Sequence, residues 1–194
     1  VAWVCFQLGV LWGELVAEPQ PKRAADWYRK AIGVLPSYVK ARVHLAEIHL
    51  RCGEGGGAED LLLAAIPSGD PEVRWRLADV MASCGKFDEA EAQLAAARSG
   101  YELLLDRHLL AFADHGAEFY AGAGNDMPRA LGLARVNVDN RPTLRSFEQA
   151  YEIAVDTGQM EVATGLVAEA RQRWGITNAF RQSSLAACRG DPMS

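Results

Sequence analysis

Five alanines recur along this chain at nearly constant spacing. Ala24, Ala58, Ala90, Ala130 and Ala163 are separated by 34, 32, 40 and 33 residues. Four residues after each stands Tyr28, Leu62, Leu94, Ala134 or Val167, and seven after each stands Ala31, Ala65, Ala97, Asn137 or Ala170. Positions i, i+4 and i+7 share one face of an α-helix. The chain therefore repeats a helix with a small, large, small stripe, and a period of this length belongs to stacked helical units.

Five residues before four of those alanines come Gly53, Gly85, Asn125 and Gly158. Glycine and asparagine tolerate the left-handed backbone that closes a helix, so each is expected to end one helix and begin a tight turn. Upstream, Leu45-Ala46 and Leu77-Ala78 repeat in phase, while Pro36, Pro71 and Pro142 fall between units. There a proline can end one helix or open the next. The predicted unit is helix, short turn, helix, with small residues at the crossing.

The segment Leu77-Ala78 through Gly85-Lys86-Phe87-Asp88-Glu89-Ala90 to Leu94 and Ala97 resembles the tetratricopeptide repeat (TPR) motif. The first unit resembles the Sel1-like variant: Leu8-Gly9 and Trp12, a longer turn through Pro19 and Pro21, then Ala24 to Ala31. The resemblance implies an all-α, right-handed α-solenoid of about five helix-turn-helix units. Their bounds are near 3–36, 37–69, 70–99, 107–142 and 143–175, followed by a capping segment over 176–194. The fourth unit matches least, with Glu118 where a small buried residue is expected and Asn137 in place of an alanine. The 40-residue interval predicts that the second helix of the third unit or the start of the fourth unit is lengthened, within Arg98 to Leu110. The tail reads as one more helix, capped by Thr177 or Asn178, with Phe180, Leu185 and Cys188 apolar and Gly190 and Pro192 ending it.

Composition limits the partners. With 20 basic and 25 acidic residues the net charge is −5, which argues against nucleic acid or an anionic membrane, since both call for a basic patch. Val1 to Leu11 is apolar, but Glu14 ends the run well short of the ~20 residues needed to cross a bilayer. It has no basic leader region and reads as a buried helix. A first residue of Val rather than Met suggests a fragment, a processed form or an incomplete reading frame. Cys5, Cys52, Cys84 and Cys188 lie far apart without metal-binding or disulfide spacing. Free thiols fit a reducing cytoplasm, with a periplasmic location left open.

In TPR proteins the first helices of successive units line a concave surface that binds peptides or helices, so the resemblance implies a non-catalytic scaffold for a protein or peptide partner. Carried through the repeat, the expected contact residues are Trp3 and Phe6, then Val43, Glu47 and Leu50, then Trp75 and Asp79. Phe112, His115 and Phe119 follow in the fourth unit, and Glu148 and Glu152 in the fifth. Trp75, Phe112 and Phe119 would serve as apolar anchors. Glu47, Asp79 and Glu152 would favour a basic partner. Lys40, Arg74 and Arg145 are too scattered for a clamp on acidic tails.

Catalytic patterns are weak. His108 and His115 share a helical face with Asp114 and Glu118 nearby, but seven residues span ~10.5 Å of rise, too far for two imidazoles to hold one ion unaided. An enzyme or metal-dependent accessory centred on His115 and Glu118 is the competing reading, and a regulatory repeat portion of a larger protein is a third. Gly53-Glu54-Gly55-Gly56-Gly57 follows a helix and lacks the Gly-Lys-Ser/Thr of a phosphate loop, so it reads as an elongated turn. No cofactor is expected.

Overall fold

The computed structural model describes residues 1–187. Among them eleven α-helices occur and no strand. They are α1 (Ala2–Val10), α2 (Pro21–Val34), α3 (Val39–Arg51), α4 (Gly55–Leu63), α5 (Pro71–Ser83) and α6 (Phe87–Ala121). After these come α7 (Met127–Asn140), α8 (Leu144–Asp156), α9 (Met160–Trp174), α10 (Asn178–Gln182) and α11 (Ser184–Ala187). The chain folds as two compact units, Val1–Tyr101 and from Glu102 onward. Gly190, Pro192 and Cys188, expected in the tail, lie outside the described residues.

In the first unit α1 packs on α2, α3 on α4, and successive pairs join through α2 with α3, α4 with α5 and α3 with α5. The recurring small stripe sits where helices cross: Ala24, Ala31, Ala58, Ala97 and their flanking Tyr28 and Leu62 are buried. In the second unit α7 packs on α8 and α8 on α9, with Ala130, Ala134, Ala163 and Ala170 equally buried. Small side chains let backbones approach closely while the large member of each stripe fills the space beside the crossing. Asn137, the polar departure from the stripe, is also buried, with Nδ2 donating to Gln149 Oε1 at 3.5 Å.

The turns follow from backbone chemistry. Gly53, Gly85 and Gly158 have φ of +78°, +76° and +70°. In each, the next residue's N–H reaches back to the helix, from Glu54, Lys86 and Gln159 to the carbonyls of His49, Met81 and Ala154 at 2.9, 2.9 and 2.8 Å. This is the left-handed helix closure that glycine permits at least cost. Asn125 is the one non-glycine residue with positive φ among those described, at +45°. Its turn is wired differently, by Gly124 N–H to Phe119 O at 2.8 Å and Asp126 N–H to Tyr120 O at 2.9 Å.

Several expectations change. The glycine run is not an elongated turn, because Gly55–Gly57 form the first turn of α4. A Cβ on Gly55 would stand 2.8 Å from Cys84 Sγ, and one on Gly57 2.9 Å from His49 Nδ1, so neighbouring side chains occupy the space these residues leave. Helix α1 is only half buried: Cys5, Phe6 and Gly9 face inward while Trp3 and Val4 are exposed. It continues through a wide π-helical turn, Leu11–Leu15, and α2 begins at Pro21.

The long interval is absorbed in α6, which is interrupted by non-helical angles at His108 (φ −143°, ψ 46°). A Cβ on Gly116 would lie 3.1 Å from Leu105. Eleven residues of straight helix would separate those positions by ~16 Å, so the chain bends sharply at His108. The tail is two short helices rather than one, broken at extended Ser183 (ψ 158°). The Thr177 hydroxyl caps the first by accepting from Phe180 N at 3.1 Å, and Phe180 and Leu185 are buried.

Candidate functional site

Helices α3 and α5 lie side by side and enclose a pocket of about 310 Å³. Ala46, Leu50, Leu62 and Val80 supply apolar wall, and Glu47, Arg51, Arg76 and Asp79 supply charge. Of the twelve predicted contact residues, Glu47, Leu50 and Asp79 are thereby brought together.

Arg76 organises the charges. Its Nε is 3.1 Å from Glu47 Oε1, its Nη2 3.9 Å from Glu72 Oε1 and its Nη1 3.8 Å from Asp79 Oδ2, and its guanidinium lies 3.8 Å from the centre of the Trp75 ring. Burial pushes the Asp79 carboxyl above the ordinary carboxylate range and Glu47 adds to this, while Arg76 opposes it. Beside this group His44 Nδ1 stands 3.2 Å from Glu14 Oε1 and 3.9 Å from Glu47 Oε2. Burial lowers the His44 pKa, with Lys40 and Arg76 acting in the same sense and Glu14 and Glu72 opposing.

Arg76, His44 and Glu14 were not among the predicted contacts, and the reason is helical phase. The charged stripe runs Lys40, His44, Glu47, Arg51 on α3 and Glu72, Arg76, Asp79 on α5, a spacing of i, i+4, i+7, of which Glu47, Arg51, Arg76 and Asp79 line the pocket. The expected stripe stepped by three first, through Val43 and Trp75, one residue or about 100° away. Both residues turn inward. Val43 joins the core formed with α4 and α5, and Trp75 packs edge-on against Tyr101 at 6.5 Å and 70°. A charge pattern at i, i+4, i+7 on two successive first helices is the signal that locates the face in sequence.

Phe6, three residues after Trp3, turns inward in the same phase as Val43 and Trp75, whereas Phe119, seven after Phe112, is buried for a different reason. Phe6 is buried against Tyr28, Tyr38 and His44, with ring centres 5.7, 5.4 and 5.2 Å away, whereas Trp3 is 64% exposed. Phe119 has no exposed surface and packs edge-on against Tyr120 at 5.1 Å. Neither Phe6, Val43, Trp75 nor Phe119 is available as an apolar anchor on this surface. Phe112 and His115 are half-buried, and Phe112 lies beside the His108 ring at 6.4 Å.

Glu118, expected in a buried small-residue site, is exposed. Asp114 beside His115 pairs instead with Arg141 at 3.0 Å. Glu148 and Glu152 are engaged by the tail of the chain: Glu148 Oε1 accepts from Ser184 N at 3.2 Å, and Glu152 Oε1 accepts from the Ser184 hydroxyl at 3.5 Å. Among the described residues no cluster of three or more His, Cys, Asp or Glu side chains could hold a metal ion. Cys52 and Cys84 are free and exposed. No described helix is long and apolar enough to cross a membrane.

Paired helices closed by left-handed turns, with small residues at the crossings, give a helical-repeat fold of the kind seen in solved TPR proteins. The chain is similar to the crystal structure of a thermophilic TPR protein in Thermus thermophilus, over 96% of this chain and 98% of that one, with 16% identity and a TM-score of 0.62. It is also similar to the crystal structure of PilW, described as a type IV pilus biogenesis factor, over 93% of this chain and 81% of that one, at 13% identity and a TM-score of 0.50. At such identities the likeness is one of fold. No family model matches the chain, and no curated protein matches it in sequence.

Proposed function

We propose that this protein is a non-catalytic interaction scaffold that binds a peptide or helix of a protein partner across the first helices α3 and α5. The observation that carries this reading is the 310 Å³ pocket between those helices, with apolar side chains next to an ion-paired rim. A concave site where a few polar groups converge beside apolar wall is the form that specific recognition takes. TPR-fold proteins as a class are interaction modules, which supports the same reading. A catalytic role centred on His115 and Glu118 gains no support, because Asp114 beside His115 is tied to Arg141 and Glu118 is exposed rather than held in a buried site.

The test is a paired pull-down from native cell extract, wild type against Leu50→Arg, with both baits shown to be folded by circular dichroism. Leu50 is half-buried at the pocket, so the longer charged side chain changes the docking face while its stem still reaches solvent. A protein retained by wild type and released by the variant is the expected result. Identical recoveries from the two baits would remove α3 and α5 as the docking face.

A further inference from the structure

Helix α1 is apolar on every side. From Ala2 to Gly13 the only polar side chain is Gln7, and the first charged residue is Glu14. A helix that is hydrophobic all round is normally buried all round, yet the first unit covers one side of this one. Cys5, Phe6 and Gly9 are buried, with Phe6 beside Tyr28 and His44 and Gly9 tight against the Tyr28 ring. Trp3, Val4, Leu11 and Leu15 stay 64, 51, 38 and 71% exposed, and Leu8 is half-buried. At about 100° per residue these five fall within a sector of about 140°, with Cys5, Phe6 and Gly9 on the other side of the axis.

The exposed row is self-complementary. Val4, Leu8, Leu11 and Leu15 are spaced by four, three and four residues, the alternation that forms a seam between two packed helices. That spacing reads the same in either direction. Two copies laid antiparallel about a two-fold axis level with residues 9 and 10 set Val4 of each against Leu15 of the other, and Leu8 against Leu11. Trp3 covers the ends of the seam. Glu14, the one charge on this side, has its Oε1 3.2 Å from His44 Nδ1, and the antiparallel arrangement keeps its two copies at opposite ends.

The face is also large enough. At ~200 Å² for a fully exposed large side chain, Trp3, Val4, Leu11 and Leu15 leave on the order of 450 Å² of surface per copy, and their neighbours widen the face to roughly 600 Å². A two-fold contact then buries on the order of 1,200 Å² in all, the lower limit for a specific, stable interface.

We propose that α1 is a homodimerisation face. Two copies of this chain pair α1 with α1 antiparallel, Trp3 and Val4 of each packing on Leu15 of the other and Leu8 on Leu11. The contact uses α1 and the wide turn after it, so it is independent of peptide docking on α3 and α5.

The test is sedimentation velocity of the full chain from about 1 to about 200 µM, a range that brackets the micromolar dissociation expected of a contact this size. Wild type should pass from monomer to dimer across it. Val4→Glu/Leu15→Glu, which sets like charges against each other in the pair, should stay monomeric at every concentration. Trp3→Ala, a milder change, should weaken the dimer about tenfold or more. These three positions are at least half exposed in the single copy, so circular dichroism should show unchanged helix content. Phe87→Glu, at a 70% exposed residue elsewhere in the first unit, should leave the dimer intact.

Wild type that is monomeric throughout would overturn the proposal and leave the stripe to a different occupant. A dimer unchanged by both α1 variants, or abolished equally by Phe87→Glu, would put association on another face and overturn it as well. An assembly that grows beyond two copies would overturn the two-fold pairing, since a closed antiparallel contact stops at two.

Discussion

Trp75→Ala separates a core residue from a groove anchor more sharply than any other single change. Trp75 retains 6% of its surface, sits edge-on to Tyr101 at 6.5 Å, and has the Arg76 guanidinium 3.8 Å above its ring. A buried aromatic of this size removes ~200 Å² from water, worth ~5 kcal/mol at ~25 cal/mol per Å², an upper bound because the alanine keeps part of the contact. Large-to-small aromatic replacements in cores cost ~3–5 kcal/mol. Taking ~4 kcal/mol, and ~2–4 °C per kcal/mol if the whole chain melts together, the melting temperature should drop by at least ~8 °C. If the first unit melts alone, its smaller size makes the drop nearer ~15 °C or more. The measurement is thermal unfolding followed by circular dichroism at 222 nm, with Trp75→Phe as an intermediate. A shift under ~2 °C, typical of an exposed substitution, would refute the inward placement of Trp75 and the helical phase derived from it.

Two further outcomes follow from backbone and charge. Gly85→Ala places a Cβ on a residue at φ +76° with no neighbour within 4 Å, so backbone strain alone should cost ~1–2 kcal/mol. Gly132→Ala, inside α7 with equally open space, should instead gain ~0.5–1 kcal/mol from helix propensity, and urea titrations moving both variants the same way would contradict the turn geometry. His44 titrates lower in the fold than its ordinary ~6.5 because burial, Lys40 and Arg76 outweigh Glu14 and Glu72. The unfolded chain then binds more protons in that window, so the His44 contribution is complete above pH ~7.5 and declines as pH falls through ~6.5. Wild type should lose more melting temperature than His44→Gln between pH 7.5 and 5.5, and an equal or larger loss in the variant would exclude this linkage.

The architecture was legible because its determinants are local. The i, i+4, i+7 stripe through Ala24, Ala58, Ala130 and Ala163 identifies the crossing face, since only small residues allow helices to approach closely. Gly53, Gly85, Asn125 and Gly158 mark the turns, since only such residues take positive φ without strain. The candidate face was legible only in part. Glu47, Leu50 and Asp79, expected on it, line one pocket, but Val43, Trp75, Phe6 and Phe119 were assigned outward and lie in the core.

What the amino-acid sequence determined by itself was therefore the kind of element, its length and the residues that close it, all set by interactions within a few positions along the chain. What the tertiary structure alone decided was the rotation of each helix about its own axis. Helix α3 has two apolar neighbours, its own partner α4 and the next first helix α5, and a stripe containing both Val43 and His44, or both Trp75 and Arg76, is satisfied on paper by either rotation. Packing resolves the choice: the indole gains most by filling space beside Tyr101, and Arg76 gains most by meeting Glu47, Glu72 and Asp79 at the pocket. Glu72 and Asp79 are neighbours of Arg76 along its own helix, but Tyr101 and Glu47 lie on other helices, so no local rule could have placed Trp75 and Arg76 against them.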